Sequence, residues 1–395
     1  MLALTFDRNI PAYALVKAAG GRPDVATSPL ALLHLEDVEP PKLPGSDWHR
    51  VHPQVSGICG SDIAAITGHA SFYMDPLTSF PFIPGHELCG RLDDGSRVVV
   101  QPVLGCAVRG IDPPCRMCAE GRIGLCENVT EGEIEVGLQT GYCHDTGGGW
   151  GELLVAHESQ LYEVPDALTD GAAMLTEPLA CAIHAALRTG AQPEDTVLVM
   201  GAGCLGLLTV AAVKTFTPPR KLICVAKYPH QAELARSLGA DLVVAPGEVY
   251  QRVRFATQAR RVDTIGNLLE KRPVLLGGAD LVFECAGSAS SLSDSVRLAR
   301  GGGKVVLVGM PGKEEVDWAP IWQRELQVTG AYAYGVEANG KRTFDLALEL
   351  APSLKLDRLA GPFFALEDYR DAIEYAMSSG RLSAVRVAFD QRSEA

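Results

Sequence analysis

The apolar residues in the second half of the chain fall into short runs separated by polar, helix-periodic stretches. Val197, Leu198, Val199 and Met200 form one such run, partly β-branched, of the kind that fills a strand buried on both faces. Gly201, Gly203 and Gly206 follow at the GxGxxG spacing, and an apolar helix continues to Lys214. The same grammar repeats downstream. Lys221–Ala226 reads as a second strand, followed by a helix opened by Pro229 and closed by Gly239. Ala240–Val244, Asp280–Cys285 and Lys304–Val308 read as three further strands, with a helix over Leu292–Ala299 between the last two. Thr196–Val213 carries no charge and is long enough for a membrane span, but the strand–helix alternation around it assigns it to a doubly wound α/β sheet instead.

The first half is patterned differently. MLALTF is an initial strand, and the stretch to residue 50, with Pro11, Gly20, Gly21 and Pro23, reads as irregular. Residues 10–28 and the basic segment Gln251–Arg272 look like additions to a core of this type. At 395 residues the chain is expected to hold two domains. A composition of 47% hydrophobic and 21% charged residues is that of a globular protein. A net charge of −13 argues against a nucleic-acid partner, which would need phosphates neutralised by Lys and Arg. Asp7 and Arg8 interrupt the amino terminus before a secretory signal could form, so a cytoplasmic protein with no membrane partner is expected.

The chemistry-bearing residues precede the glycine turn. Cys59 lies between glycines in VSGICGSD, and His86 and Glu87 follow Pro84 and Gly85 in FPFIPGHE. The segment from Gly105 to Asn128 holds Cys106, Cys115, Cys118 and Cys126 among charged residues and prolines, which suits a closed tetrahedral zinc site better than a packed core. Asp112 stands where a local CxxC would put its second ligand, so it is an alternative to Cys106. The remaining cysteines, including Cys181 one helical turn after Glu177, read as small core residues. The GGGWG stretch, Gly147–Gly151, is open between a pocket lining and a plain turn; Phe72, Tyr73, Trp150 and Trp318 are candidate pocket walls.

Taken together and in this order, Cys59, the Gly-His-Glu turn, the four-cysteine lobe, Glu177 and the GxGxxG resemble the zinc-dependent medium-chain alcohol and polyol dehydrogenases over nearly the whole chain. The resemblance implies an α/β protein: a mainly β, GroES-like catalytic domain from residues 1–178 and 333–395, with its zinc lobe near 105–128, and a Rossmann domain over 179–332. It implies one catalytic zinc held by Cys59, His86 and Glu177, with Glu87 beside it as an alternate or supporting ligand, and one structural zinc on the four cysteines. Ser61 matches the hydroxyl that carries the substrate proton away from the metal, although the histidine that commonly follows three residues later is Ala64 here. The nicotinamide cofactor is expected on Gly201, Gly203, Cys204, Leu205, Gly206, Ala226, Lys227, Val308 and Gly309. The second strand ends at Ala226 without the carboxylate that binds a ribose 2′-hydroxyl, and Lys227 follows, so NADP(H) is expected over NAD(H).

The expected activity is hydride transfer between that cofactor and a secondary alcohol, polyol or sugar-derived hydroxyl, or the matching ketone. A zinc-free quinone or enone reductase of the same fold and a non-catalytic nucleotide-binding protein are the alternatives. Gln327–Tyr334 reads as an edge strand, and with it a homodimer or homotetramer is expected.

Overall fold

A computed structural model describes residues 1–270 and 272–392, so Lys271 of the basic segment and the last three positions of the expected catalytic domain lie outside the described residues. The chain divides into two compact units, Met1–Ala180 with Ala333–Ala395, and Cys181–Tyr332.

Among the described residues, the second unit holds a six-stranded sheet whose strands lie in the order Leu242–Val244, Lys221–Val225, Thr196–Met200, Ala279–Glu284, Ala299–Leu307, Gln327–Gly330. Every pairing in it is parallel. In chain order this is 3-2-1-4-5-6, the doubly wound arrangement. Its central strand, Thr196–Met200, is buried at every position because helices cover both faces of a parallel sheet.

Several boundaries differ from the sequence reading, most of them by one residue, and the edge strand ends at Gly330 and not at Tyr334. The third strand starts at Leu242, since Asp241 is drawn off to accept from Leu222 N at 2.7 Å and to face Lys214 Nζ at 3.2 Å. The helix read over Leu292–Ala299 spans Ala289–Leu298, because Ser288 caps it by accepting from Ser291 N at 3.3 Å. Ala299 already belongs to the following strand, Ala299–Leu307, which starts five residues before the apolar run that announced it. The charge-free stretch Thr196–Val213 resolves into a strand, a turn and part of the helix Cys204–Phe216; no helix among the described residues is long and apolar enough to cross a membrane. Arg260–Val262 of the basic segment pairs antiparallel with Val274–Leu276, just beyond it, as a small two-stranded sheet.

In the first unit a seven-stranded sheet is built on the long strand Trp48–Gly57, which pairs with Leu88–Leu92, Leu154–His157 and the C-terminal strand Arg386–Asp390. Leu2–Phe6 pairs separately with Leu33–Asp37. The stretch read as irregular contains the helix Ile10–Ala18, capped by Asn9 accepting from Ala12 N at 3.1 Å. Pro11 lies in its first turn, where a missing N–H costs nothing, so the proline starts this helix and does not break it. Ala12 and Val16 bury its inner face in a core that includes Leu4, Ile66, Phe82 and Phe389. Trp150 is fully buried in that core and donates from Nε1 to Gly57 O at 3.1 Å, so it is a packing residue and not a pocket wall.

Candidate metal and cofactor sites

Strand pairing brings the first cluster together. Trp48–Gly57 ends where Cys59 N-caps the helix Gly60–Ile66, and Leu88–Leu92 runs antiparallel beside it with His86 and Glu87 just before its start. Gly57 N donates to Glu87 O at 2.8 Å, which locks the two turns side by side. One donor atom each from Cys59, His86 and Glu87 then lie within 4.8 Å of one another. Glu177, buried in the first turn of the helix Thr176–Thr189, is not one of that group.

Around these donors lie three residues that the sequence reading passed over. Asp62, buried in the first turn of the Cys59 helix, accepts from Cys59 N at 2.9 Å and from Tyr142 Oη at 3.2 Å, and faces His86 Nδ1 at 3.5 Å. Burial opposes a charge on His86, but the Asp62 carboxylate and the Cys59 sulfur outweigh it and hold the imidazole pKa well above its usual value. Arg386 reaches in from the C-terminal strand, its Nε 3.0 Å from Glu87 Oε2 while Nη1 donates to Ile58 O at 2.7 Å. Glu87 Oε2 and His86 Nδ1 are both buried without a well-aligned hydrogen bond, despite those near neighbours. A sulfur, an imidazole and a carboxylate converging in a buried, incompletely satisfied spot is a donor set that fits a zinc ion.

The second cluster is built on thiols alone. Cys106, Cys115, Cys118 and Cys126 bring their sulfurs within 4.8 Å of one another; Asp112 is outside the set. Backbone N–H groups point at the sulfurs: Cys115 N and Cys106 Sγ are 3.3 Å apart, Glu127 N and Cys115 Sγ 3.4 Å, Asn128 N and Cys126 Sγ 3.4 Å. Burial pushes the Cys115 thiol up, yet the N–H groups of Glu127 and Cys118 prevail and bring it down to about 7. Cys126, more deeply set, is pushed up by burial to about 11. The residues between Cys106 and Cys115 are held by Arg109, whose fully buried guanidinium donates to the carbonyls of Leu104, Glu131, Ile134, Glu135 and Gly137. Four thiols with amide donors around them fit a closed tetrahedral zinc.

In the other unit, the glycine turn has the geometry a pyrophosphate needs. Gly201 sits at φ +99°, in the left-handed region, and a Cβ on Gly206 would come within 1.9 Å of Gly201 O, so both positions require glycine. Gly203 N-caps the helix Cys204–Phe216, so Cys204, Leu205 and Gly206 make up its first turn, the end of a helix that favours an anion. Ala226 follows the second strand, and the exposed Lys227 carries its ammonium 5.6 Å above the Tyr228 ring. Val308 N and Gly309 N both donate to Glu284 O at 2.9 Å. The Glu284 carboxylate, unnoticed in the sequence, is fully buried and accepts from Ala286 N, Gly287 N and Ser291 Oγ; burial pushes its pKa up. It thereby fixes the loop after the fourth strand.

Comparison with known proteins bears on both halves of the chain. The alcohol dehydrogenase GroES-like domain family matches residues 45–166, and the zinc-binding dehydrogenase family matches residues 204–351. A sorbitol dehydrogenase of Arabidopsis thaliana is 29% identical over 371 residues, covering 89% of this chain and 92% of its own. An L-idonate 5-dehydrogenase of Vitis vinifera is 27% identical, covering 86% and 87%. The solved structure of a zinc-binding dehydrogenase from Sinorhizobium meliloti 1021 bound to NADP superposes with a TM-score of 0.68 at 25% identity, covering 98% of this chain and 99% of that one. With both halves matched in the order in which the two units occur, the chain belongs to the zinc-type medium-chain alcohol and polyol dehydrogenase family.

Proposed function

We propose that this enzyme, a nicotinamide-dependent dehydrogenase, oxidises a secondary hydroxyl of a polyol or sugar-derived alcohol, or reduces the matching ketone, with NADP(H) preferred and two zinc ions per chain. The observation that carries the reading is the convergence of Cys59, His86 and Glu87 in a site separate from the four-thiol cluster, as expected where one metal serves chemistry and another serves folding. Sorbitol and L-idonate dehydrogenases among the relatives support a polyol over a simple alcohol.

Cys59 and His86 hold the catalytic zinc, with Glu87 or Glu177 as the third protein ligand. Bound zinc supplies a Lewis acid that acidifies the alcohol, and the nicotinamide supplies the hydride acceptor. Asp62 fixes the His86 ring through Nδ1. Arg386 holds the Glu87 carboxylate in place. Ser61 accepts the hydroxyl proton of the substrate at Oγ. Gly201 and Gly206 let the pyrophosphate approach the backbone at the N-terminal end of the helix Cys204–Phe216, whose dipole favours its charge. Lys227 attracts the 2′-phosphate, the role supported by its exposure and by the lack of a carboxylate at Ala226. Cys106, Cys115, Cys118 and Cys126 hold the structural zinc.

The strand Gln327–Gly330, exposed at all four positions on the edge of the six-stranded sheet, supports assembly as a homodimer or homotetramer. The eleven cysteines form no disulfide, in keeping with a cytoplasmic setting. A panel of alcohols, polyols and sugar alcohols, followed by reduced-cofactor absorbance with NADP and NAD in parallel, tests the reading. Turnover of polyols with NADP is the expected result, and no zinc-dependent turnover of any hydroxyl substrate would overturn it.

A further inference from the structure

The helix Ile10–Ala18 belongs to the stretch that looks like an addition to the core, and it buries Ala12 and Val16 on one side. Tyr13 and Lys17, on the same helix, reach a second segment, residues 67–80. Tyr13 Oη donates to Gly68 O at 3.1 Å, and Lys17 Nζ donates to the same oxygen at 2.8 Å. The Tyr13 ring lies 5.1 Å from that of Phe72. Arg8, just before the helix, pairs with Asp75 and stands over the Phe80 ring at 5.5 Å. Beyond the helix, Gly21 lies so close to His69 that a Cβ on it would come within 2.8 Å of the ring. The contacts are thus spread along the segment from Gly68 to Phe80.

Residues 67–80 are also the chain that joins the two turns of the Cys59 cluster. They begin where the helix Gly60–Ile66, N-capped by Cys59, ends, and they lead into the turn that carries His86 and Glu87. A helix of 7 residues moves the chain only about 10 Å from its cap, so the segment starts close to the cluster. Its middle is a short 3₁₀ helix, Phe72–Leu77, with no buried residue; Phe72 and Tyr73, two of the candidate pocket walls, are 66% and 78% exposed. The far end is held by Leu138 N, which donates to Leu77 O at 3.1 Å, and by His144 N, which donates to Ser79 Oγ at 2.7 Å. A stretch that buries so little of itself is easily loosened, and its near end and middle stay in one place through the residues they lean on.

We propose that Tyr13 and Lys17 are positioning residues for the substrate: by sharing the two lone pairs of the Gly68 carbonyl they hold residues 67–77 as a preformed wall beside the Cys59 cluster, with Phe72 clamped and Tyr73 presented next to it. A wall already in place needs no ordering when a polyol binds, whereas a loose one is ordered at the expense of substrate affinity. The metal ligands are not part of the brace, so its loss acts on KM and leaves kcat in place. The inference rests on the dehydrogenase reading above, and within it the insertion becomes the part of the chain that tunes how well a substrate fits.

The test uses the holoenzyme carrying Tyr13→Phe, which keeps the ring against Phe72, together with Lys17→Met, which keeps an aliphatic stem and removes the donor. A second variant pairs Tyr13→Phe with Lys17→Arg and so restores one donor. Hydrogen–deuterium exchange over residues 67–77, KM and kcat for the best polyol of the panel with NADP, bound zinc and melting temperature are measured for each. The methionine variant is expected to exchange about tenfold faster over 67–77, as for two lost hydrogen bonds of ordinary strength. Its KM is expected to rise about 5- to 10-fold with kcat within about twofold, and its zinc content to stay at the wild-type value. The arginine variant should return both KM and exchange to within about twofold of wild type. Unchanged exchange in the methionine variant would show that the insertion does not brace the segment. Faster exchange with KM unchanged would show that the segment is no wall of the substrate site, and a fall in kcat that follows lost zinc would place the effect at the metal. Each of these overturns the proposal, as does an arginine that fails to rescue. Absence of turnover in wild type itself would instead strike the dehydrogenase reading, and the inference with it.

Discussion

The two candidate zinc sites share a unit and are made in opposite ways. The Cys59 cluster draws its donors from turns at the ends of two paired strands and surrounds them with buried charges, Asp62 on one side and Arg386 on the other. The four-cysteine cluster draws its donors from within twenty-one residues of chain and surrounds them with backbone N–H groups. The first is imposed by the tertiary fold, through the pairing of Trp48–Gly57 with Leu88–Leu92. The second sits in a small core of Cys106, Cys126 and Val129 edged by Leu77, Ile111, Val136 and Leu138, with loop amides at its sulfurs; on the proposed reading a metal there adds to that core. On the proposed reading, one site serves reactivity and the other cohesion.

Substituting each cluster in turn should break this contrast or sharpen it. Cys59→Ala is expected to lower turnover by about a thousandfold or more, the several kcal/mol that a Lewis acid contributes. Circular dichroism and cofactor affinity should remain at wild-type levels; unfolding of this variant would contradict the assignment of the cluster to chemistry. Next in size, Arg386→Met leaves the buried Glu87 carboxylate without its cation and should destabilise the protein by about 3–5 kcal/mol in urea unfolding. Adding Glu87→Gln should recover part of that loss.

Cys118→Ser should lower the melting temperature by about 5–10 °C, equivalent to 2–3 kcal/mol in a unit of this size, and leave kcat/KM per folded enzyme within about twofold. Asp112→Ala, outside the thiol cluster, should change stability by no more than about 0.5 kcal/mol; a melting shift like that of Cys118→Ser would make aspartate the ligand. For the cofactor, Lys227→Ala should reduce the NADP-over-NAD ratio of kcat/KM about tenfold, as expected for one charge-assisted contact at an exposed position. An unchanged ratio would remove Lys227 as the discriminating residue.

What could be read from the sequence depended on how locally each feature is determined. The strand before Gly201 was legible because a strand buried on both faces is a continuous apolar run, and the turn because Gly201 is required by its own positive φ and Gly206 by a contact five residues away. The thiol cluster was legible for the same reason. The helix Ile10–Ala18 was not, since Pro11 and the nearby glycines mark a loop unless the Asn9 cap is noticed. Cys59 and His86 stood out by residue type and by their glycine-flanked turns, whereas the groups that hold them did not. Arg386 sits 328 positions beyond its Ile58 acceptor, and an arginine in a C-terminal strand carries no local mark of a buried ion pair. Tyr142 was passed over, because its partner Asp62 is 80 positions away. Glu284 looked like an ordinary strand-end acid until the loop closed over it.

The central claim is that one zinc works and the other braces, and metal analysis of purified protein tests it most directly. Wild type should hold about two zinc ions per chain, Cys59→Ala about one with the melting temperature kept and turnover lost, and Cys118→Ser about one with the melting temperature lowered and turnover kept. A wild-type chain with a single zinc that Cys59→Ala leaves in place would contradict the account.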